Sequence, residues 1–394
     1  MRDHLTKLQI QSYLAPAGLA CLLVLGSSGC NSNFSIGGGP FGMGMNTKQA
    51  SEERRLTLEH KAGSGLEVRT TFGAISVVAD PALTNVEVTA TVFASGATAE
   101  QARTNLTKIA VKTQRRADQV LEIWAEYPRN VVVNGGCSFE VRIPDATGVI
   151  AKSANGAVAL RGLGGAAEAE TTFGSVTVTG QHGPATVHSA NGSVTLEQIE
   201  GAAQAQTSFG GITVRAVQGD VAAHSSNGSV EVAKVKGSVQ AGTTFGSLTV
   251  REVGGEVKAN NANGPIRVEQ ARGRVAARTT FGTVSVREGE GEAEIESSNG
   301  SITYAPAKGN AHPFNLKTTF GTVEVRLPAS AAGRIHATTS FGSITVDGAR
   351  RPLSVTGEKG DRQIVLTETG RESRIASANG SIHVSLDQVL AERE

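Results

Sequence analysis

Residues 245–282 read FGSLTVREVGGEVKANNANGPIRVEQARGRVAARTTFG, and both ends of this stretch are the same dipeptide, Phe245-Gly246 and Phe281-Gly282. Midway between them stands Asn263-Gly264. A Gly preceded by Phe or Asn thus recurs at an even spacing of 18, and because the preceding residue alternates, the identical marker returns after 36. Working outward, Phe173, Phe209, Phe245 and Phe281 form one series, and Asn155, Asn191, Asn227, Asn263 and Asn299 form the other. A fixed period in this range marks stacked units that cannot bury their apolar faces alone. Between the corners, apolar and polar residues alternate, and the Val, Ile, Thr and Ser that crowd the repeats suit a pleated sheet. The pattern predicts an all-β chain, a parallel β-solenoid (β-helix) of 18/36-residue repeats, wound right-handed.

The repeated Asn-Gly pairs could instead make two-residue type I′ hairpins. Phe stands at the equivalent positions, however, and it tolerates poorly the positive φ which that turn needs at both central residues. Only the Gly is then obligatory, as at the corner of a coil. Counting alternation away from a corner places Val257, Ala259, Asn261 and Asn263 on one face and, past the Gly, Ile266 and Val268 on the same side, the expected interior. Phe and Asn would both point inward. Strict alternation then favours a 36-residue coil, with Phe over Phe and Asn over Asn as structural ladders about 4.8 Å apart. An 18-residue coil would mix the two in one column.

Away from the repeats the chain changes character. Arg2, His4 and Lys7 precede the apolar run Leu14 to Leu25, which is too short to span a bilayer, so residues 1–29 are expected to be a signal peptide. The run ends in Ser27-Ser28-Gly29-Cys30, which resembles a bacterial lipobox with Ser27 where Leu is usual, making Cys30 the candidate lipid attachment residue. Residues 30–55, rich in Gly, Ser and Asn, read as a flexible tether. Residues 56–149 are strand-like but aperiodic, the expected cap over the open first coil, with one short helix where Ala102, Leu106 and Ile109 keep helical spacing after Thr98 as N-cap. Residues 150–385 carry the repeat. Beyond Gly300 its spacing stretches, the markers after Asn299 falling at Phe320, Phe341 and finally Asn379, as if insertions enter there. Residues 386–394, where Leu386, Val389 and Leu390 have helical spacing, read as a tail or lid.

Composition narrows the function classes. With 37 basic and 36 acidic residues the chain offers no broad basic footprint, which argues against a nucleic-acid partner. Of three cysteines, Cys21 lies in the signal and Cys30 would carry lipid, leaving Cys137 as a structural thiol with no disulfide partner. Six residues past successive Phe corners stand Arg215, Arg251, Arg287 and Arg326, a candidate stripe for a polyanion if the layers align them, though Glu252 and Glu288 temper it. His188 and His224 lie 36 apart, but their column supplies no second pair of ligands, so no metal is expected. Asp220 is the lone Asp of the strict stack, which does not suit a calcium-binding repeat. No repeated carboxylate pair marks a catalytic cleft, and neither catalytic residues nor a cofactor are expected.

The markers TTFGSVTV, SANGSVTL and SSNGSITY, with the entry segment Phe139-Glu140-Val141-Arg142-Ile143-Pro144, resemble the bacterial putative-adhesin family of β-solenoid domains, a domain of unknown function, over roughly residues 55–385. The resemblance implies an exported surface or periplasmic protein with an adhesive role, and it brings no catalytic residues. The expectation is a non-enzymatic β-solenoid in adhesion or cell-envelope scaffolding, anchored to a membrane by its N-terminal lipid and binding a glycan or an envelope protein. A carbohydrate-active enzyme on the same fold, a polysaccharide lyase or hydrolase, is the alternative.

Overall fold

The computed structural model describes residues 47–128, 133–309, 312–328, 331–348 and 352–387. In the regular stretch each coil holds two strands. A leading strand such as Val221–Asn227 runs up to the corner Gly228-Ser229, a following strand, Val230–Val235, runs away from it, and a short turn delivers the next leading strand, Val239–Phe245. Leading strands pair in parallel with leading strands and following strands with following strands, forming two sheets with the core between them. Val221 lies beside Val239 and Asn227 beside Phe245. One coil therefore spans a single marker interval, from Asn to the next Phe, and not two.

This register overturns the 36-residue coil and its matched ladders. Phe173 sits between Asn155 and Asn191, and Asn227 sits between Phe209 and Phe245. Asn263 and Asn299 likewise flank Phe281. The markers also fail to point inward, since Phe173, Phe209, Phe245 and Phe281 are 54–58 % exposed. The cause lies two residues earlier, at the last inward position. There Ser225 Oγ donates to the carbonyl of Gly210, at 2.9 Å, and Thr243 Oγ1 to that of Gly228, at 2.8 Å. With that position anchored, the chain rides over the edge of the sheet and the next side chain but one overhangs the rim. No amide ladder forms. Instead Asn191 and Asn227 donate to the backbone carbonyls of Thr172 and Ser208, each at 3.3 Å.

The hydroxyl bond recurs along the stack, from Ser153 to Gly73 and from Thr171 to Gly156 through to Thr318 and Gly300. Where Asn261 replaces the hydroxyl, its amide donates to Gly246 at 2.8 Å. A buried hydroxyl without a partner costs about 1–3 kcal/mol, so this column satisfies itself by tying each coil to the one before. The remaining interior is apolar: Val221 and Ala223 from the leading strand face Val230, Val232 and Val235 from the following one, all at most 3 % exposed. The three-residue step from Val232 to Val235 needs a reversal of the pleat. Lys234 supplies it at φ 59°, and Gln198, Ala216, Glu252, Gln270 and Glu288 adopt the same left-handed conformation in their coils. Gly162 and Gly180 hold this position in the first coils.

The ends depart from the coil. At the N-terminal end the strand Gly135–Ile143 continues the following sheet, and Asn85–Gly96 and Lys48–Glu59 add to it antiparallel. The edge strand Lys48–Glu59 thus takes the last residues of the expected tether, because its Leu56 and Leu58 lie over the core. It carries Glu52, Glu53, Arg54 and Arg55, charges of the kind that discourage pairing with another chain. The helix spans Ala99–Leu106, with Gln101 N–H donating to the Thr98 side chain and Ala102 and Leu106 buried.

At the C-terminal end, spatial order leaves sequence order. The last pair of strands, Glu372–Asn379 and Ile382–Leu386, inserts between the coil of Phe314–Phe320 and Val323–Leu327 and the coil of Arg334–Phe341 and Ile344–Gly348. Asp361–Val365 and Ser354–Thr356 then finish the leading sheet antiparallel. Leu386 closes the core as part of a strand rather than a helical lid, and Val389 and Leu390 lie outside the described residues.

Candidate functional site

Outward positions of the leading strands make one continuous polar face. Along it run Gln204 and Gln206, His224, Gln240 and Gly242, Asn260, Arg278 and Glu296, successive strands lying about 4.8 Å apart. Short residues, Ala222, Gly242 and Ala262, hollow its middle into a trough of about 730 Å³. A Cβ on Gly242 would stand 3.1 Å from His224 Nδ1 and 3.4 Å from the Asn260 carbonyl, so the missing side chain is part of the hollow. Gln204, Gln206, Gln240 and Asn260 are exposed, and their amides have no partner among the described residues. At the far end Arg278 is held by Glu294 and, at 3.3 Å, by Glu296. Hydrogen bonds from Arg278 and then Arg274 keep the Glu294 carboxyl below its ordinary range. Nearer the N-terminus the same face holds a smaller recess with Trp124 and Lys152, where the Arg69 guanidinium lies 5.8 Å from the Trp124 ring centre.

The sequence reading passed over this trough because Gln, Asn, Ala and Gly at outward strand positions look like any solvated face. The available signal was the shortness of those residues over several consecutive coils. The Arg column singled out from sequence lies on the other sheet. Arg215, Arg251 and Arg287 do align, but at every second coil, with Ala233 and Glu269 between them. Glu231 bridges Arg215 and Arg251 at 2.9 and 2.7 Å, and Glu324 holds Arg326 at 2.6 Å. Three of the stripe's four arginines are therefore ion-paired, two of them through one shared carboxylate. His188 and His224 are separated by Gln206, and no cluster of three potential metal ligands occurs among the described residues. Cys30 lies outside the described residues.

Cys137 is buried in the cap strand Gly135–Ile143. Burial pushes its thiol up to about 12. The thiolate is the reactive form, so peptide-resolved alkylation at pH 8 should leave Cys137 unmodified in the folded protein and label it fully in denaturant. Labelling of the folded form would contradict the burial.

The family model of Toastrack DUF4097 matches residues 66–385, the whole span of coils together with most of the N-terminal cap. The chain belongs to this family. No curated protein matches this Toastrack chain. Among solved structures, a putative adhesin from Bacteroides fragilis aligns at 11 % identity over 86 % of this chain and 97 % of its own, with a TM-score of 0.21. A putative cell adhesion protein from Clostridium sporogenes aligns at 10 % identity over 86 % and 100 %, with a TM-score of 0.18. A putative adhesin from Parabacteroides distasonis aligns at 11 % identity over 85 % and 97 %, with a TM-score of 0.24.

Proposed function

We propose that this Toastrack protein is a non-enzymatic adhesin that binds a glycan along the trough of its leading sheet, exported and held at the cell envelope by lipid on Cys30. The observation that carries the reading is the row of unpartnered amides at Gln204, Gln206, Gln240 and Asn260 around the Gly242 hollow. Their backbones are fixed on both sides by parallel pairing, so only side-chain rotamers, and no backbone, must be ordered when they meet a ligand. Amides offer both donors and acceptors, which suits a polyhydroxylated chain more than a dense polyanion. The alternative, a polysaccharide lyase or hydrolase, draws less support. Glu294 is held ionised beside Arg278, opposite to the raised carboxyl that a general acid requires.

Screening the purified protein against a glycan array, then repeating it with Gly242→Gln, tests the reading. The substitution fills the hollow at a half-buried strand position where the exposed His224 side chain can swing aside, and it should weaken binding at least about tenfold while moving the melting midpoint little. Equal binding by both proteins, or release of new reducing ends from a bound polysaccharide, would reject it. For the anchor, labelling with a fatty acid should mark the wild type and spare Cys30→Ala.

A further inference from the structure

We infer that the Phe rim is a self-association surface whose occupant is a second copy of this chain, packed antiparallel with its Phe rings between those of the first. The interior of the solenoid repeats with every coil and gives no reason for Phe and Asn to alternate. The alternation belongs to the rim, and it continues through the rearranged C-terminal end. In sequence Phe320 is followed by Phe341, but in space the inserted coil places Asn379 between them. The rim therefore presents one ring at every second coil, about 9.6 Å apart.

That spacing is self-complementary. An identical rim shifted by half a period puts each of its rings about 4.8 Å along the rim from two neighbours, within the roughly 4.5–7 Å over which aromatic rings pack well. The space between rings is kept clear because Asn191 and Asn227 fold down onto the backbone carbonyls of Thr172 and Ser208. A two-fold axis perpendicular to the stack, passing between a Phe coil and an Asn coil, generates the half-period shift, and the contact closes on itself as a dimer. A two-fold axis along the stack would set the rings level with one another instead. Flanking residues such as Ser208, Thr244 and Ser247 are uncharged, so two rims meet without repulsion. With Phe rings about half exposed, each offers roughly 100 Å², so five or six supply roughly 500–600 Å², and the flanking Ser, Thr and Asn must contribute the rest of the roughly 800 Å² per partner of an ordinary interface.

Sedimentation equilibrium of the full chain tests the inference, independently of any glycan. The wild type should dimerise with a Kd on the order of 10 µM or tighter. Phe209→Ser, Phe245→Ser and Phe281→Ser combined should weaken dimerisation at least about 100-fold. An unchanged thermal melt would show that the triple variant is folded, as expected for exposed rings, and Gly242→Gln should dimerise normally. A wild type that stays monomeric at about ten times that Kd, or a folded triple variant that still dimerises, overturns the inference. So does a monomeric wild type that binds an insoluble β-linked polysaccharide through these same Phe residues, which would assign the rim to a glycan.

Discussion

Gly210→Ala should destabilise the solenoid by about 3 kcal/mol or more, whereas Gly211→Ala, one residue on, should stay within about 1 kcal/mol of wild type. A Cβ on Gly210 would stand 2.6 Å from the carbonyl carbon of Gly192, one coil below, and closer still to its oxygen. Neither partner can give way. That oxygen accepts the Thr207 hydroxyl at 3.1 Å, and Gly210's own carbonyl accepts Ser225 at 2.9 Å. The backbone at φ +146° also lies where side chains rarely go. At Gly211 a Cβ would meet only the Ser229 carbonyl, at 3.3 Å, and other coils carry Ser193, Ser229 or Ser247 at this place. Chemical denaturation of the two variants checks the pair. Similar losses for both would mean that glycine matters here for flexibility rather than for close approach.

The same glycines explain how much of the fold was legible. The period is written in the corners because the closest contact between coils, glycine on glycine, admits no other residue. Interior positions such as Val257, Ala259, Ile266 and Val268 followed from alternation alone and are buried as expected. What misled was the assumption that a strict rim pattern must serve the interior. Phe245 and Asn263 can share one column because neither is packed in the core, and the requirement for like on like disappears with exposure. The left-handed residues were hidden for a different reason. Gln198, Lys234 and Glu252 are not residues that announce positive φ, and only Gly162 and Gly180 hinted at it. The trough was hidden too, since its distinguishing property, the absence of bulk at Gly242 beside His224, exists only once strands are placed side by side.

Sequence spacing did register the C-terminal irregularity, but not its cause. Two Phe markers in succession, Phe320 and Phe341, break an alternation that the chain otherwise keeps, and the missing Asn arrives only at Asn379. Reading along the chain makes this an insertion, whereas the pairing makes it a coil supplied late. Such a coil brings a large loss when it is removed.

Deleting residues 372–394 should therefore unfold more than the deleted segment. In a stack built in sequence order, the coil of Arg334–Phe341 and Ile344–Gly348 would stay in place, because it would rest directly on Phe314–Phe320. In this structure it rests on the deleted strands, both through parallel pairing and through Thr339, whose hydroxyl donates to Gly380 at 2.8 Å. Ile375, Ile382, Val384 and Leu386 are fully buried, and losing them removes about 6–12 kcal/mol of apolar burial at roughly 1.5–3 each. That is comparable to the roughly 5–15 kcal/mol stability of a whole domain, so residues 334–365 should detach and leave Phe314–Phe320 as an open edge. Limited proteolysis should then cut the truncated protein within 328–371 while sparing 148–306, and the exposed edge should promote aggregation. A synthetic peptide covering 372–387, added in trans, can pair with the open Phe314–Phe320 edge and give Arg334–Phe341 its parallel neighbour back, and should restore protection by strand addition. Native-like protection of 334–348 in the truncated chain without peptide would show that the coil re-pairs directly with its sequence neighbour. Phe341 would then lie against Phe320, and the spacing of the rim would be lost with the inserted coil.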